Sequence, residues 1–331
     1  MNKKIKQVTE ENLCISKKAY GRGYRYYNEK GEAIKSKKIL KRLRSLIIPP
    51  MWSDVMICKW DDGHIQATGR DAKGRKQYIY HSKYEEARQQ EKFDKMQDFG
   101  RQLPAIRKVN DKHIKRTKWT KEKVLSLVVT LLDETGLRIG NRQYAQRNGT
   151  YGLTTLRRKH IDVEGNKISF DYKGKSNQER HVEIDDPYLT NLIKTSSELP
   201  GYELFRYLDD DRRWQTVDSD DVNEWIRSHM GEQFSSKDFR TWVASRLAIE
   251  LYVDAENAKE KYPRRKFTNI LLRMVADELG NTPTICKSYY IHPQILNMIA
   301  NQSISWKVPK KDSPTHKLSS SEKYLVKCLG K

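Results

Sequence analysis

The apolar residues of this chain change their period about a third of the way along, and that change forces two different architectures onto one polypeptide. In the first part the pattern is that of short strands. "YRYYNEKGEAI" alternates aromatic and polar residues and turns at Gly31, and "VMICKWDDGHIQATGRDAKGRKQYIYH" gives three strand-like runs separated by "DDG" and "AKG" turns. From "HSKYEEARQQEKFDKMQDFGRQL" onward the spacing becomes helical. "WTKEKVLSLVVTLLDETG" carries an apolar stripe that begins at a Thr120 cap and ends at Gly136, a left-handed C-terminal cap. "HIDVEGNKISFDYKGKSNQERHVEI" then inserts three strands, turning at "EGN" and at "GKSN", before helices resume from "PYLTNLIKTS" to "NILLRMVADELG". A polar stretch, "KVPKKDSPTHKLSSS", leads to a short final helix, "EKYLVKCLG", to which the sequence assigns no role.

With 331 residues, the chain is long enough for two cores. The expectation is an α+β protein: a small N-terminal antiparallel β-sheet domain over residues 1–105, then a larger, mostly α-helical domain over 106–331 carrying a three-stranded β insert.

Charge points to the partner. Lys and Arg number 64 against 43 Asp and Glu, a formal net charge of +21, and the excess is spread through "KSKKILKRLR", "RKVNDKHIKRTK" and "KYPRRK" with acidic residues between. A folded basic surface of this kind fits an extended polyanion. No apolar run reaches the length of a membrane span and "MNKKIKQVTEENLC" lacks the apolar core of a signal peptide, so an intracellular protein is expected, cytoplasmic and nucleoid-associated or carried in a virion, with no membrane partner. Four cysteines without a CxxC pair read as reduced thiols, and eight histidines show no HExxH spacing. No GxxxxGK[ST] loop is present and "GRGYRY" is only a fragment of GxGxxG, so neither a metal nor a nucleotide cofactor is expected.

Breaking a DNA strand without a metal requires a nucleophile for phosphorus, fixed cations for the oxygens and an acid for the departing oxygen. Arginine suits the clamp, because its planar fork matches two phosphate oxygens; lysine suits the acid, because it carries a transferable proton. Candidates stand at landmarks: Arg138 follows the Gly136 cap and begins a new helical segment, "LRIGNRQY"; Lys175 sits in the "GKSN" hairpin tip; Arg240 lies near a helix start in "SKDFRTWVASRL". Among 64 basic residues, only the constellation carries weight.

The chain resembles the short type IB DNA topoisomerases, the branch shared by bacteria and poxvirus-like viruses. The motifs that carry the resemblance are "IPPMWSDVMIC", "GHIQATGRDAKGRKQYIYH", "TGLRIGN", "TYGLTTLRRKH", "YKGKS", "KDFRTW" and "LGNTPTICKSYYIHP", in the family's order. The resemblance implies the topoisomerase IB/tyrosine recombinase fold for the helical domain. It implies that Tyr290 attacks the phosphodiester and is joined to the 3′ end, that Arg138 and Arg240 hold the non-bridging oxygens, and that Lys175 protonates the leaving 5′ oxygen. Lys237 falls on a family lysine that supports the chemistry, and Asn281, where poxviral members carry histidine, donates a hydrogen bond without adding charge. Gln77, Tyr78 and Tyr80 match a DNA-facing strand, and Tyr144 a contact beside the cleaved phosphate. The implied enzyme is a monomer that clamps double-stranded DNA in a C shape and relaxes supercoils of either sign, with no ATP, metal or other cofactor. Two rivals remain: a tyrosine recombinase, which usually carries an HxxR box where this chain has "KDFR", and a non-catalytic duplex-binding protein.

Two tyrosines compete for the nucleophile. Gly280 ends one helix, Thr282 and Pro283 open the next, and Pro293 restarts the chain, so Tyr289 and Tyr290 close a short helix. At α-helical spacing Tyr289 shares an apolar face with Ile285 as a packing residue. Tyr290 is turned about 100° away over Cys286 and is left to reach the phosphate.

Overall fold

The computed structural model describes residues 5–305 and 316–330, and its contacts divide the chain into two compact units, residues 1–92 and 93–331. The polar stretch after Trp306 falls largely outside the described residues.

The first unit is built on a five-stranded antiparallel sheet of β1 (Ile15–Tyr20), β2 (Gly23–Tyr27), β3 (Ser53–Ile57), β4 (Ile65–Arg70) and β5 (Lys76–Tyr80), in the order β2-β1-β3-β4-β5. Alternation along each strand sends Ile15, Tyr26, Ile57 and Ala67 into one core, which α1 (Lys37–Ser45) completes with Leu43. The three runs read from the sequence are β3 to β5. Helix α2 (Ser82–Asp94) then leads out of the unit.

The second unit is mostly helical. It opens with α3 (Met96–Ile114), α4 (Lys121–Thr135) and α5 (Arg142–Asn148), followed by the three-stranded insert β6 (Ile161–Glu164), β7 (Lys167–Lys173) and β8 (Glu179–Ile184), paired in the order β6-β7-β8. After α6 (Pro187–Glu198) comes a two-stranded ribbon, β9 (Arg206–Leu208) and β10 (Trp214–Thr216), which the sequence pattern does not reveal because each strand has only three residues. Then follow α7 (Ser219–Met230), α8 (Ser236–Glu250), α9 (Tyr252–Lys261), α10 (Phe267–Leu279), the short α11 (Pro283–Ile285) running into a π-helical turn (Cys286–Tyr290), α12 (Pro293–Ala300) and α13 (Ser320–Leu329). Among the described residues no helix is long and apolar enough to cross a membrane.

Helices α4 and α8 form the centre of this unit. Val124, Leu127, Val128, Leu131 and Leu132 of α4 are buried, as are Phe239, Trp242, Val243, Ala248 and Ile249 of α8. Each Val, Leu, Ile or Phe side chain among them contributes roughly 1.5–3 kcal/mol relative to exposure. Thr120 accepts from the Lys123 amide and Gly136 takes the left-handed conformation at φ 61°, so both expected caps of α4 are present.

The sequence pattern puts the domain boundary near residue 105, which lies inside α3. Leu103 and Ile106 of that helix are buried in the second unit's core together with Phe93 and Phe99, so the break in contacts comes earlier, between Lys92 and Phe93. A change of period marks where helices begin, and α2 belongs by contact mostly to the sheet unit.

Candidate active site

Three chain segments meet around the end of α10. Its C-terminus is closed by Gly280 at φ 58°, with the Asn281 amide donating back to the Ala276 carbonyl at 2.9 Å. Thr282 caps α11 through the Ile285 amide and Pro283 takes the first helical position, both as the sequence suggests. Asn281 therefore sits in a tight link between two helices, and its Oδ1 accepts a 2.6 Å hydrogen bond from Nη2 of Arg138. Its Nδ2 is buried without a hydrogen bond.

Arg138 does not begin a helix. Residues 137–141 form an irregular link that turns at Gly140, φ 95°, and the next helix starts only at Arg142 behind its Asn141 cap. The reason is a backbone-to-backbone contact: the Leu153 and Thr154 amides donate to the carbonyls of Arg138 and Ile139, and a Cβ on Gly152 would come within 2.6 Å of the Arg138 carbonyl oxygen. Those inter-segment bonds take the carbonyls that a helix would use.

Arg240, on the second turn of α8, is only 5% exposed and is held by main-chain oxygens. Nη1 donates to the Gly136 carbonyl at 2.5 Å and Nη2 to the Leu279 carbonyl. The two helix ends, α4 and α10, are thus tied to one guanidinium. Burial, and secondly the neighbouring Arg138, push its pKa down to about 10, while the adjacent Tyr290 phenol acts the other way. It stays charged at neutral pH. Its Cζ lies 5.2 Å from the centroid of the Tyr290 ring.

The environment of the tyrosine pair is the reverse of the expected one. Tyr289 and Ile285 are both exposed, at 42% and 39%, whereas Tyr290 is half-buried and packs against the core beside Arg240. Residues 286–290 form a π-turn, in which the Ile291 amide donates to the Cys286 carbonyl at 3.0 Å, five residues back. The wider turn advances each residue by less than the α-helical angle, and Tyr290, not Tyr289, lies on the inner side. Cys286 is fully buried. Burial raises its thiol to about 11, opposed by Arg240, Asn281 and Arg138. Arg138, Arg240, Asn281 and Tyr290 therefore converge.

The remaining candidates lie at different distances from this cluster. Lys175 is exposed at the tip of the β7–β8 hairpin, where Ser176 and Asn177 take positive φ. Lys237 is exposed one turn before Arg240 on α8. Tyr144 is 53% exposed on α5, just beyond the Arg138 segment. Gln77, Tyr78 and Tyr80 all lie on the edge strand β5 of the first unit but not on one face. Tyr78 and Tyr80 stack at 5.9 Å, whereas Gln77 points to the other side and donates to Asp71 at 2.9 Å.

Sequence reasoning missed two buried groups beside the cluster. Tyr172 and Arg180, directly paired across β7 and β8, are 6% and 7% exposed. Burial raises the Tyr172 phenol, and Arg180, Arg240 and Arg138 oppose that rise in decreasing order. Alternation along the hairpin could have flagged both as inward-facing.

A family model described as "Eukaryotic DNA topoisomerase I, catalytic core" matches residues 81–314, and one described as "Bacterial DNA topoisomerase IB, N-terminal domain" matches residues 23–71. The chain belongs to the type IB DNA topoisomerases. The DNA topoisomerase 1B of Acanthamoeba polyphaga mimivirus is 30% identical over 298 residues, which is 87% of this chain and 88% of that protein. That of Vaccinia virus (strain Copenhagen) is 25% identical over 276 residues, covering 79% and 82%. The DNA topoisomerase 1 of Mycosarcoma maydis matches at 24% over 62% of this chain but 22% of its own length. Among solved structures, a pre-cleavage complex of the XerH site-specific recombinase with its difH substrate overlaps at a TM-score of 0.37 and 14% identity, over 62% of this chain and 53% of that one, too partial an overlap to argue from. Membership of the type IB topoisomerases, an α+β fold and DNA as the substrate class stand together.

Proposed function

We propose that this type IB topoisomerase opens and reseals one strand of duplex DNA through Tyr290. The phenolic oxygen of Tyr290 forms a bond to phosphorus as its proton passes to solvent water, and the bond from phosphorus to the 5′ oxygen breaks. Lys175 gives that oxygen a proton, leaving a 3′-phosphotyrosyl link and a free 5′ hydroxyl. The observation that carries this reading is the convergence of Arg138, Arg240 and Asn281 on Tyr290.

The chemistry follows from the arrangement. Arg240 is already oriented by two carbonyls, so it need not reorganise as negative charge grows on the phosphate. Asn281 is oriented by Arg138, and its buried Nδ2, beside the Cys286 thiol, is a donor that a phosphate oxygen can take up. Arg240 stands 5.2 Å from the centroid of the Tyr290 ring, so the nucleophile and the clamp occupy one place. Lys237, one turn before Arg240, supports the same phosphate, and Tyr144 contacts the backbone beside it. In the first unit, the stacked Tyr78 and Tyr80 present ring faces and hydroxyls to the duplex, with Gln77 beside them. The phosphotyrosyl bond conserves the energy of the phosphodiester, so religation is the reverse step and draws on no ATP. Torque alone drives strand rotation, and supercoils of both signs relax. The protein acts as a monomer on double-stranded DNA, with the unit of residues 1–92 clamping the duplex and the unit of residues 93–331 cutting it, and needs neither metal nor nucleotide.

The test is relaxation of supercoiled plasmid in EDTA without ATP, for positively and negatively supercoiled substrate alike. A ladder of relaxed topoisomers is expected from both. Recombinant products would favour the recombinase reading, and unchanged plasmid a non-catalytic duplex binder.

A further inference from the structure

One side chain joins the hairpin that carries Lys175 to the helix end that carries Asn281. Tyr172 and Arg180 form the last cross-strand pair on the buried face before the β7–β8 tip. The neighbouring pair, Lys173 and Glu179, faces outward as an exposed 3.6 Å ion pair. Beyond these the Gly174 amide donates to the Gln178 carbonyl at 2.8 Å, which leaves Lys175, Ser176 and Asn177 as the tip. Against that tip lies the stem of Arg180: a Cβ on Gly174 would meet its Cγ at 3.0 Å.

The guanidinium of Arg180 reaches the C-terminus of α10. Nη2 donates to the Glu278 carbonyl at 2.9 Å and Nη1 to the Asp277 carbonyl at 3.3 Å, two carbonyls at the negative end of the helix. It lies so close that a Cβ on Gly280 would fall 1.9 Å from Nη1. The next two links are those of the site itself: the Leu279 carbonyl holds Arg240, and Asn281 holds Arg138. One four-residue run, 278–281, thus takes Arg180, Arg240 and Arg138 in turn.

We propose that Arg180, braced by Tyr172, is a positioning residue that fixes the reach of the Lys175 tip relative to Arg138, Arg240 and Tyr290. The inference rests on the reading of Lys175 as the proton donor. Arg180 is buried, with its stem against the hairpin tip and its guanidinium on the Asp277 and Glu278 carbonyls, so it links the Lys175 hairpin to the helix end that holds Arg240 and Arg138. Lysine in its place keeps the charge but cannot bridge two carbonyls with a planar fork. A flexible tip is a poor acid, because proton transfer needs the donor within hydrogen-bond reach of the 5′ oxygen.

The test uses the full chain in single-turnover cleavage of two duplexes, one with the natural 5′ bridging oxygen and one with sulfur there, whose thiolate leaves without a proton. Arg180→Lys and Arg180→Met should cleave the oxygen duplex ~100-fold more slowly than the parent, the size expected for a misplacement of about 1 Å. DNA affinity should be unchanged. On the sulfur duplex both should return to near the parent rate, as should Lys175→Ala, while Arg138→Ala should stay slow. Tyr172→Phe, which keeps the ring, gives a milder variant with the same pattern if the Arg180 variants melt below the assay temperature. Parent-like rates on the oxygen duplex, or slow cleavage of the sulfur duplex by folded Arg180 and Tyr172 variants while Lys175→Ala is rescued, would overturn the positioning role. Lack of rescue for Lys175→Ala would overturn the proton-donor reading beneath it, and the proposal with it.

Discussion

Replacing Glu322 by glutamine tests what the final helix does. Glu322 lies on α13 and is 1% exposed, yet it is a carboxylate. Oε1 lies 2.6 Å from Nη2 of Arg107 on α3 and accepts from the Trp242 indole of α8 at 3.1 Å. Nη1 of Arg246, also on α8, stands 3.5 Å away, and Oε2 accepts the Ser319 amide at 2.8 Å. Burial alone would raise this carboxyl; Arg107 first and then Arg246 overcome it and hold it down to about 2. Removing one partner of a buried ion pair costs about 3–5 kcal/mol. Arg107 keeps Asp133 at 2.6 Å, which argues for the lower end. For a unit of this size each kcal/mol moves the melting temperature by about 2–4 °C, so Glu322→Gln should lower Tm at pH 7 by ~6–12 °C. The pH dependence has a definite sign. The folded-state value lies below the ordinary 4.5, so the stabilisation is complete above that value and is lost as pH falls through about 2. The gap between parent and variant, followed by tryptophan fluorescence or calorimetry, should narrow from pH 6 to pH 3. A drop below ~2 °C, or a gap that does not narrow, would refute the view that α13 is pinned through this carboxylate.

Other outcomes are equally concrete. Tyr290→Phe should abolish plasmid relaxation and the covalent adduct on denaturing gels while duplex affinity persists, whereas Tyr289→Phe should retain both activities; the opposite result would exchange their roles. Duplex affinity should fall linearly with salt on logarithmic axes, by roughly 10³–10⁵-fold between 50 and 200 mM if six to ten phosphates are neutralised; a flat response would mean the basic surface is not the DNA site. Of the four free cysteines, Cys14 is partly exposed and Cys58, Cys286 and Cys328 are buried, with burial raising the Cys58 and Cys286 thiols. Maleimide at pH 7 should therefore label one thiol quickly in the folded protein and all four after denaturation, and rapid labelling of Cys286 would contradict the packing beneath Tyr290.

Local signals in the sequence determined a good deal. Thr120 and Gly136 bound α4, Gly280, Thr282 and Pro283 separate α10 from α11, and the "EGN" and "GKSN" turns define the three-stranded insert, because caps and turns depend on a few neighbouring residues. Motif order along the chain likewise identified the family and nominated Arg138, Lys175, Arg240, Asn281 and Tyr290. Four of those five are now seen to converge, while Lys175 stands on a hairpin anchored to the same place.

Tertiary structure decided the rest, wherever the deciding contact is distant in sequence. Arg138 lies outside any helix because the Leu153 and Thr154 amides take up its segment's carbonyls, and α13 has a role through the pairing of Glu322 with Arg107, 215 positions earlier. The tyrosine pair shows the limit most clearly. Spacing alone turned Tyr289 inward, but a single five-residue hydrogen bond from Ile291 to Cys286 widened the turn and placed Tyr290 against Arg240. A helical period read from sequence assumes a regular backbone, and here the backbone is irregular at the residues nominated for the chemistry.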